Sequence, residues 1–317
     1  MIKGSYSFYP AEKIQPLLDV FKEFTRGYTN LGSDYSVSDL INAPRIVQLN
    51  RRHKGEISTK PFDLNAHLGS FRGTAIHTAF EWQLNKIIGR REGKSPYLVE
   101  RRIWDRICGR KISGKFDILY NEDLFDLKTT SVWKRIFEGF ADWESAQNLY
   151  AYLLSTVGIQ VRSLNIIAWY TDWQKEKADG KNQGYPPSMV EGILLPLWSV
   201  HEQLNFLEER IELHKSNETR PDDELSLCTE KEMWAKPTTF AVKQVGKDRA
   251  LRVLGSQAEA VNYVRDKRVS GASIEVRPGI RTRCLNWCEA NQYCNIHQQY
   301  IFGNGGAANA TQESQDS

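Results

Sequence analysis

The sequence predicts an α/β fold: a central mixed sheet flanked by helices, closed by a cysteine-rich C-terminal clamp. Three observations predict it. Residues 97–129 carry three strand-like runs, and the last two, within ISGKFDILYNEDLFDLKTT, alternate apolar and polar side chains as half-buried strands do. Helix-period segments stand on both sides of that hairpin, and further strand-like runs follow at 162–170 and 189–197. Strands alternating with helices in this way build one layered sheet. Cys284, Cys288 and Cys294 then cluster near the C-terminus, where a structural clamp is natural.

In chain order, residues 10–27 and 36–52 read as helices, and a third opens at Gly73 and runs to about residue 88, with Ile76, Ala79, Phe80 and Leu84 as its apolar face. Strands are expected at 97–107, 111–120 and 124–129. The segment around Gln147 and Tyr150 reads as an amphipathic helix ending before Gly158. Residues 172–187, polar and rich in Gly and Lys, read as a loop between the two later strands, and a long amphipathic helix spans about 198–216. Residues 217–240 hold turns and a short helix, and 256–267 another helix. Residues 303–317 lack bulky apolar side chains and are expected to be disordered. One domain is expected over 1–302, with a helical part at 1–70, a core at 71–200 and a helical, Cys-rich part at 201–302.

The chemistry concentrates in the hairpin. Ile112, Gly114, Phe116 and Ile118 share one strand face and Lys115 and Asp117 the other, while Asp126 and Lys128 oppose Phe125 and Leu127. With Asn121 and Glu122 as a two-residue loop, Asp117 lies opposite Asp126, with Cβ atoms roughly 5 Å apart. Two carboxylates that close repel unless a cation joins them; the alternative is a charged, solvated hairpin face. His77 precedes this hairpin, as a packed histidine or as an imidazole ligand in an otherwise oxygen-rich site.

The 317 residues carry a net charge of only +3, too little to argue for nucleic acid by itself. The distribution says more. Arg90, Arg91, Lys94, Arg101, Arg102, Arg106, Arg110, Lys111 and Lys115 lead into the hairpin, either as a solvated basic face or as a track for a phosphate backbone. No G-x-x-x-x-G-K-[ST] loop is present, which disfavours nucleotide triphosphate hydrolysis. No run is long and apolar enough to span a membrane, and the first residues do not read as a signal peptide, so the cytoplasm is the expected compartment. Three cysteines so close together favour metal ligation over disulfides, with zinc and iron both open. Cys108, in a strand-like stretch, reads as an ordinary buried thiol.

Taken in order, Gly73 to His77 (GxxxH), Gly114 to Asp117 (GxxD), Asp126 to Lys128 (DxK), and Gln147 with Tyr150 resemble the PD-(D/E)XK nuclease superfamily. The likeness is to its RecB-like exonuclease branch, which includes CRISPR adaptation nucleases and many phage exonucleases. Residues 36–45 resemble the segment that precedes the His element there, so the resemblance covers about 35–300. It implies a restriction-endonuclease-like core and metal-dependent hydrolysis of DNA phosphodiesters. His77, Asp117, Asp126 and the Leu127 carbonyl would hold Mg²⁺ or Mn²⁺, Lys128 would position the attacking water, and Gln147 and Tyr150 would orient the hairpin or touch the DNA backbone. Glu100 and Glu81 are candidate outer carboxylates or simple surface acids. The partner implied is DNA, with a single-stranded end or tail, and a recombination or helicase protein. The rival is a non-catalytic DNA-binding or recombination scaffold that keeps the fold.

This chain departs from the branch twice. Gln147 and Tyr150 are three residues apart where four is usual, and Ala43 stands where many relatives carry Cys. Relatives often hold a 4Fe–4S cluster on a C-terminal triple and one distant Cys. Here Cys284, Cys288 and Cys294 supply the triple, and with Ala43 unable to ligate, Cys228 becomes the fourth ligand; His297 is the other candidate, in a zinc site.

Overall fold

The computed structural model describes residues 32–59, 64–90, 96–180 and 184–303; the expected helix at 10–27 and most of the expected disordered tail lie outside them. The backbone sorts into two compact units, one of residues 1–42 and 60–216, the other of 43–59 and 217–317.

The first unit is the expected α/β layer. It contains β1 (Tyr35–Ser36), α1 (Val37–Ile41), α2 (Leu64–Gly89), β2 (Tyr97–Ile107), β3 (Arg110–Tyr120), β4 (Asp123–Thr130), α3 (Ala141–Thr156), β5 (Ser163–Tyr170), β6 (Val190–Leu195) and α4 (Val200–Lys215). Local chemistry sets several boundaries. Ser36 and Ser199 each accept the N–H three residues on, and Asp39 and Glu202 reach back to the cap N–H, so both helices begin in a capping box. Cys108 (φ 50°) and Gly109 (φ 74°) are both left-handed, as a tight two-residue hairpin turn between β2 and β3 requires. Cys108 is therefore exposed in a turn and not the buried strand thiol that the sequence suggests. The expected helix at 36–52 is broken: α1 ends at Ile41 and a separate helix starts at Pro44, whose ring removes an N–H and keeps the preceding residue extended.

The sheet is mixed. β2–β3, β3–β4 and β5–β6 are antiparallel, β1–β3 and β4–β5 parallel. β2 runs along one whole edge of β3, so β1 (at Ile112 and Ser113) and β4 (at Ile118 to Tyr120) share the other. Residues 114–117 lie between these two ladders. α3 covers the sheet, packing Ala151 and Leu154 with Phe116, Leu124, Ile166 and Ala168, while Leu149 and Leu153 join Val37, Leu40, Leu207 and Ile211 from α1 and α4. Burying each such Leu or Ile contributes about 1.5–3 kcal/mol.

The second unit pairs the helices Pro44–Arg52 and Lys54–Ser58 with the C-terminal segments. Strands β7 (Ala235–Lys236) and β11 (Ile280–Arg281) pair, and β8 (Thr239–Gln244), β9 (Arg252–Leu254) and β10 (Ala272–Arg277) form a three-stranded antiparallel sheet. The helix Gln257–Asp266 falls where the sequence places one. None of these strands is expected from sequence. They are two to six residues long, too short for a firm strand signal, although Ser273 to Arg277 in β10 does alternate polar and apolar side chains.

Candidate metal centre

Asp117 sits where two ladders open. The pair Ile118↔Phe125 sets Asp117 opposite Asp126, and the pairs Val99↔Ile118 and Arg101↔Phe116 set it opposite Glu100 on β2. Three carboxylates thus lie in a row across three strands. Asn121, left-handed at φ 54°, closes the two-residue loop that fixes this register. Glu100 is also left-handed, at φ 53°, a conformation that costs a non-glycine residue about 1 kcal/mol or more and persists where surrounding structure enforces it.

From α2, His77 places Nδ1 3.4 Å from Asp117 Oδ2. One ligand atom each from His77, Glu100 and Asp117 lies within 4.8 Å of the others, a group that could hold a metal ion. Asp126 stands outside this trio, its Oδ2 2.7 Å from Lys128 Nζ. Leu127 links the two halves, since its N–H donates to Asp117 Oδ2 at 2.9 Å. Glu100 also pairs with Lys115. Of the basic run, Arg102 donates to Ser113 Oγ, Arg101 is exposed, and Arg91 and Lys94 lie outside the described residues. Glu81, half-buried, is not part of the trio.

Burial and the neighbouring Asp126 push the Asp117 carboxyl up to about 7. Burial, with the Lys128 cation, lowers His77 and favours the neutral imidazole that a metal needs. For Lys128, burial works against the charge, but Asp126 and Asp117 outweigh it and its pKa rises. Burial and Asp126 raise Tyr150 as well.

Two glycines explain why helices can approach this sheet. A Cβ on Gly114 would come within 2.8 Å of Leu153 and 2.9 Å of the Tyr150 ring, and one on Gly73 within 3.3 Å of Thr129 Oγ1. Gly114 thus lets Tyr150 lie over β3 between its two ladders, and Gly73 lets α2 carry His77 past β4. Gln147, on the same helix as Tyr150, is 1% exposed and its Oε1 has no hydrogen-bond partner among the described residues. Oxygen ligands and one imidazole suit a hard divalent cation, and such an ion would relieve the carboxylate repulsion.

In the second unit, Cys228, Cys284, Cys288, Cys294 and His297 line one small pocket, and Ala43 does not. Burial, with Glu232 and the other thiols, pushes Cys228 up to about 12, and burial also raises Cys284 and Cys288. His297 is 5% exposed, its Nδ1 without a partner among the described residues. Arg45, 2% exposed, donates to Ser226 O, Leu225 O and Asn295 Oδ1 and reaches Cys294 Sγ at 3.9 Å. A buried guanidinium beside four thiols fits an anionic thiolate–metal group. Among the described residues no three of the sulfurs lie within 4.8 Å of one another; zinc at about 2.3 Å from each would draw them to about 3.8 Å.

No protein-family model matches the chain, and no curated protein matches it. Among solved structures, 65% of the chain aligns with 88% of the crystal structure of SSO0001, at 16% identity and a TM-score of 0.42. Another 68% alignment covers 72% of a crystal structure named "Putative exonuclease" from Eubacterium rectale, at 13% identity and a TM-score of 0.29. Among the described residues, no helix is long and apolar enough to cross a membrane.

Proposed function

We propose that this protein is a Mg²⁺- or Mn²⁺-dependent DNA nuclease of the RecB-like PD-(D/E)XK kind, an exonuclease acting in recombination, repair or phage DNA metabolism in the cytoplasm of a prokaryotic or phage-infected cell. The observation that carries this reading is the geometry around Asp117, which lies opposite Glu100 and Asp126 with His77 Nδ1 3.4 Å from its carboxylate, a group that a bound cation would hold together.

The residues divide the work as follows. His77, Glu100 and Asp117 would hold the ion, and Asp126 and the Leu127 carbonyl would contribute the further oxygen ligands. When bound, the ion supplies a water of lowered pKa and stabilises charge on the phosphate. Lys128, whose ammonium is held 2.7 Å from Asp126 Oδ2, would position the attacking water and offset the negative charge that grows on the phosphate. Tyr150 fixes β3 through its contact at Gly114, and Gln147 offers its unpartnered amide oxygen to the centre. Glu100 is thereby assigned an inner role beyond the outer one read from sequence.

The thiol pocket is a structural site in this reading, with Cys228, Cys284, Cys288 and Cys294 holding a 4Fe–4S cluster. Zinc, with His297 in place of one thiol, is the alternative, separated by iron, sulfide and zinc analysis of anaerobically purified protein. DNA with a single-stranded end is the substrate, and a helicase or recombination protein the partner.

The test is incubation with end-labelled linear and circular DNA in Mg²⁺, Mn²⁺ or EDTA. Cleavage is expected only with metal, to fall at least about a hundredfold in Asp126→Ala and Lys128→Ala, and to spare circles. Near-normal cleavage by Asp126→Ala rejects the assignment, and metal-independent binding with no cutting favours the non-catalytic scaffold.

A further inference from the structure

Five residues beyond Lys128, the chain leaves β4 and presents two large aromatic side chains to water. Trp133 is 55% exposed and Phe137 73%. Their ring centroids are 5.3 Å apart and their planes 12° from parallel, so the two form one offset stack. They ride on a π-helical turn, Lys134–Glu138, a rare geometry that recurs at functional sites.

This exposure is built, not frayed. Val132 is 3% exposed, and Ile136 packs against the same core cluster. Val132 and Ile136 face inward, so Trp133 and Phe137, one position on from each, face outward. The turn is pinned from several sides: Val132 N–H donates to Asp172 Oδ1 at 2.8 Å, Trp133 N–H to Ser131 Oγ at 3.0 Å, Lys134 Nζ to Asp142 Oδ1 at 2.8 Å, and Arg135 Nε lies 2.9 Å from Glu191 Oε2. Folding therefore orders two aromatic rings without burying them. A flat stack with a free outer face matches a flat π-ligand, and the ligand class follows from position. Five residues span at most about 18 Å, so the stack lies within roughly five nucleotides of Lys128 along a stacked strand.

We infer that Trp133 and Phe137 are a stacking platform for the unpaired bases of a DNA strand that enters the centre on β4. The inference rests on the proposed nuclease reading and adds a preference to it. Unpaired bases offer their faces to the platform, whereas bases in a duplex are already stacked on one another, so the platform selects single strands or frayed ends.

The test measures binding of a short labelled oligo(dT) and of a short labelled duplex, with Ca²⁺ replacing the catalytic ion, and circular dichroism reports folding. Trp133→Ala and Phe137→Ala are each expected to weaken oligo(dT) binding about five- to one-hundred-fold, while duplex binding changes little. Trp133→Phe, which keeps a ring, is expected to retain most of the oligo(dT) affinity. Unchanged oligo(dT) binding in both alanine variants overturns the inference. So does an equal loss on both DNAs, or a change from oligomer to monomer with oligo(dT) binding intact, which would make the pair a protein-docking face. A wild type that binds oligo(dT) through Trp133 but cuts no DNA with Mg²⁺ or Mn²⁺ keeps the platform and removes the nuclease reading. A wild type that cuts, with binding insensitive to both alanine changes, does the reverse.

Discussion

The acidic centre of the first unit and the thiol pocket of the second pose the same physical problem with opposite chemistry. Each gathers groups that suit a cation better than they suit one another. At the centre the groups are carboxylates, one raised to about 7, with two lysines already paired to them through Lys115–Glu100 and Lys128–Asp126. In the pocket they are thiols, and burial resists the ionisation of Cys228, Cys284 and Cys288, Cys228 being pushed up to about 12. The first arrangement is partly neutralised by its own lysines and stays open at Lys128, which is 34% exposed. The second encloses soft ligands beside the buried Arg45. On the proposed reading, a hard, exchangeable ion suits the first and a soft, permanent one the second. Losing the ion should silence the centre but unravel the pocket.

The sharpest way to break that contrast is at the pocket. Cys228→Ser is expected to abolish bound metal and destabilise the second unit by several kcal/mol, on the scale of about 10 kcal/mol or more for structural thiolate sites, whereas Cys108→Ser, altering an exposed turn, keeps both metal and stability. Metal analysis and denaturant melts read this. Full metal content in Cys228→Ser removes that residue from the ligand set.

A smaller effect sharpens the other side. Gly114→Ala inserts a methyl where Leu153 and the Tyr150 ring already stand, and overpacking of this kind costs about 1–3 kcal/mol. The predicted result is a lower denaturant midpoint with the slope unchanged, together with reduced cleavage as Tyr150 is displaced. A neutral substitution would show that the helix can shift without disturbing β3.

The hairpin register was legible because strand alternation and a two-residue loop determine which residues face each other, and Asp117 does fall opposite Asp126. The place of His77 beside Asp117 follows from a helix directed at the same strands. Glu100 reads from sequence as an outer carboxylate or a surface acid, and its place beside Asp117 comes from the β2–β3 register, Val99↔Ile118 and Arg101↔Phe116, which the sequence alone does not give. The break at Pro44 carried a readable signal, since proline favours a first-turn position over a helix interior. The small sheet of β8 to β10 carried little: Ser273 to Arg277 alternates over only five residues, and in β8 Ala241 and Val242 are adjacent and both buried, against the period of two that marks a strand.

The central claim is that Asp117, with His77 and Glu100, awaits a divalent cation, and thermal melts of metal-stripped protein test it most directly. Because the folded pKa of Asp117 lies above its ordinary value of 3.8, the folded state holds this proton longer than the unfolded chain does. This residue's contribution therefore lowers stability as pH rises from about 4 to about 7. Bound Mn²⁺ replaces the proton and reverses that loss. The account predicts that Mn²⁺ raises the melting temperature strongly at pH 8 and little at pH 5, and that Asp117→Asn raises metal-free stability at pH 8 while losing the response to Mn²⁺. An equal Mn²⁺ response in Asp117→Asn, or a response independent of pH, would contradict it.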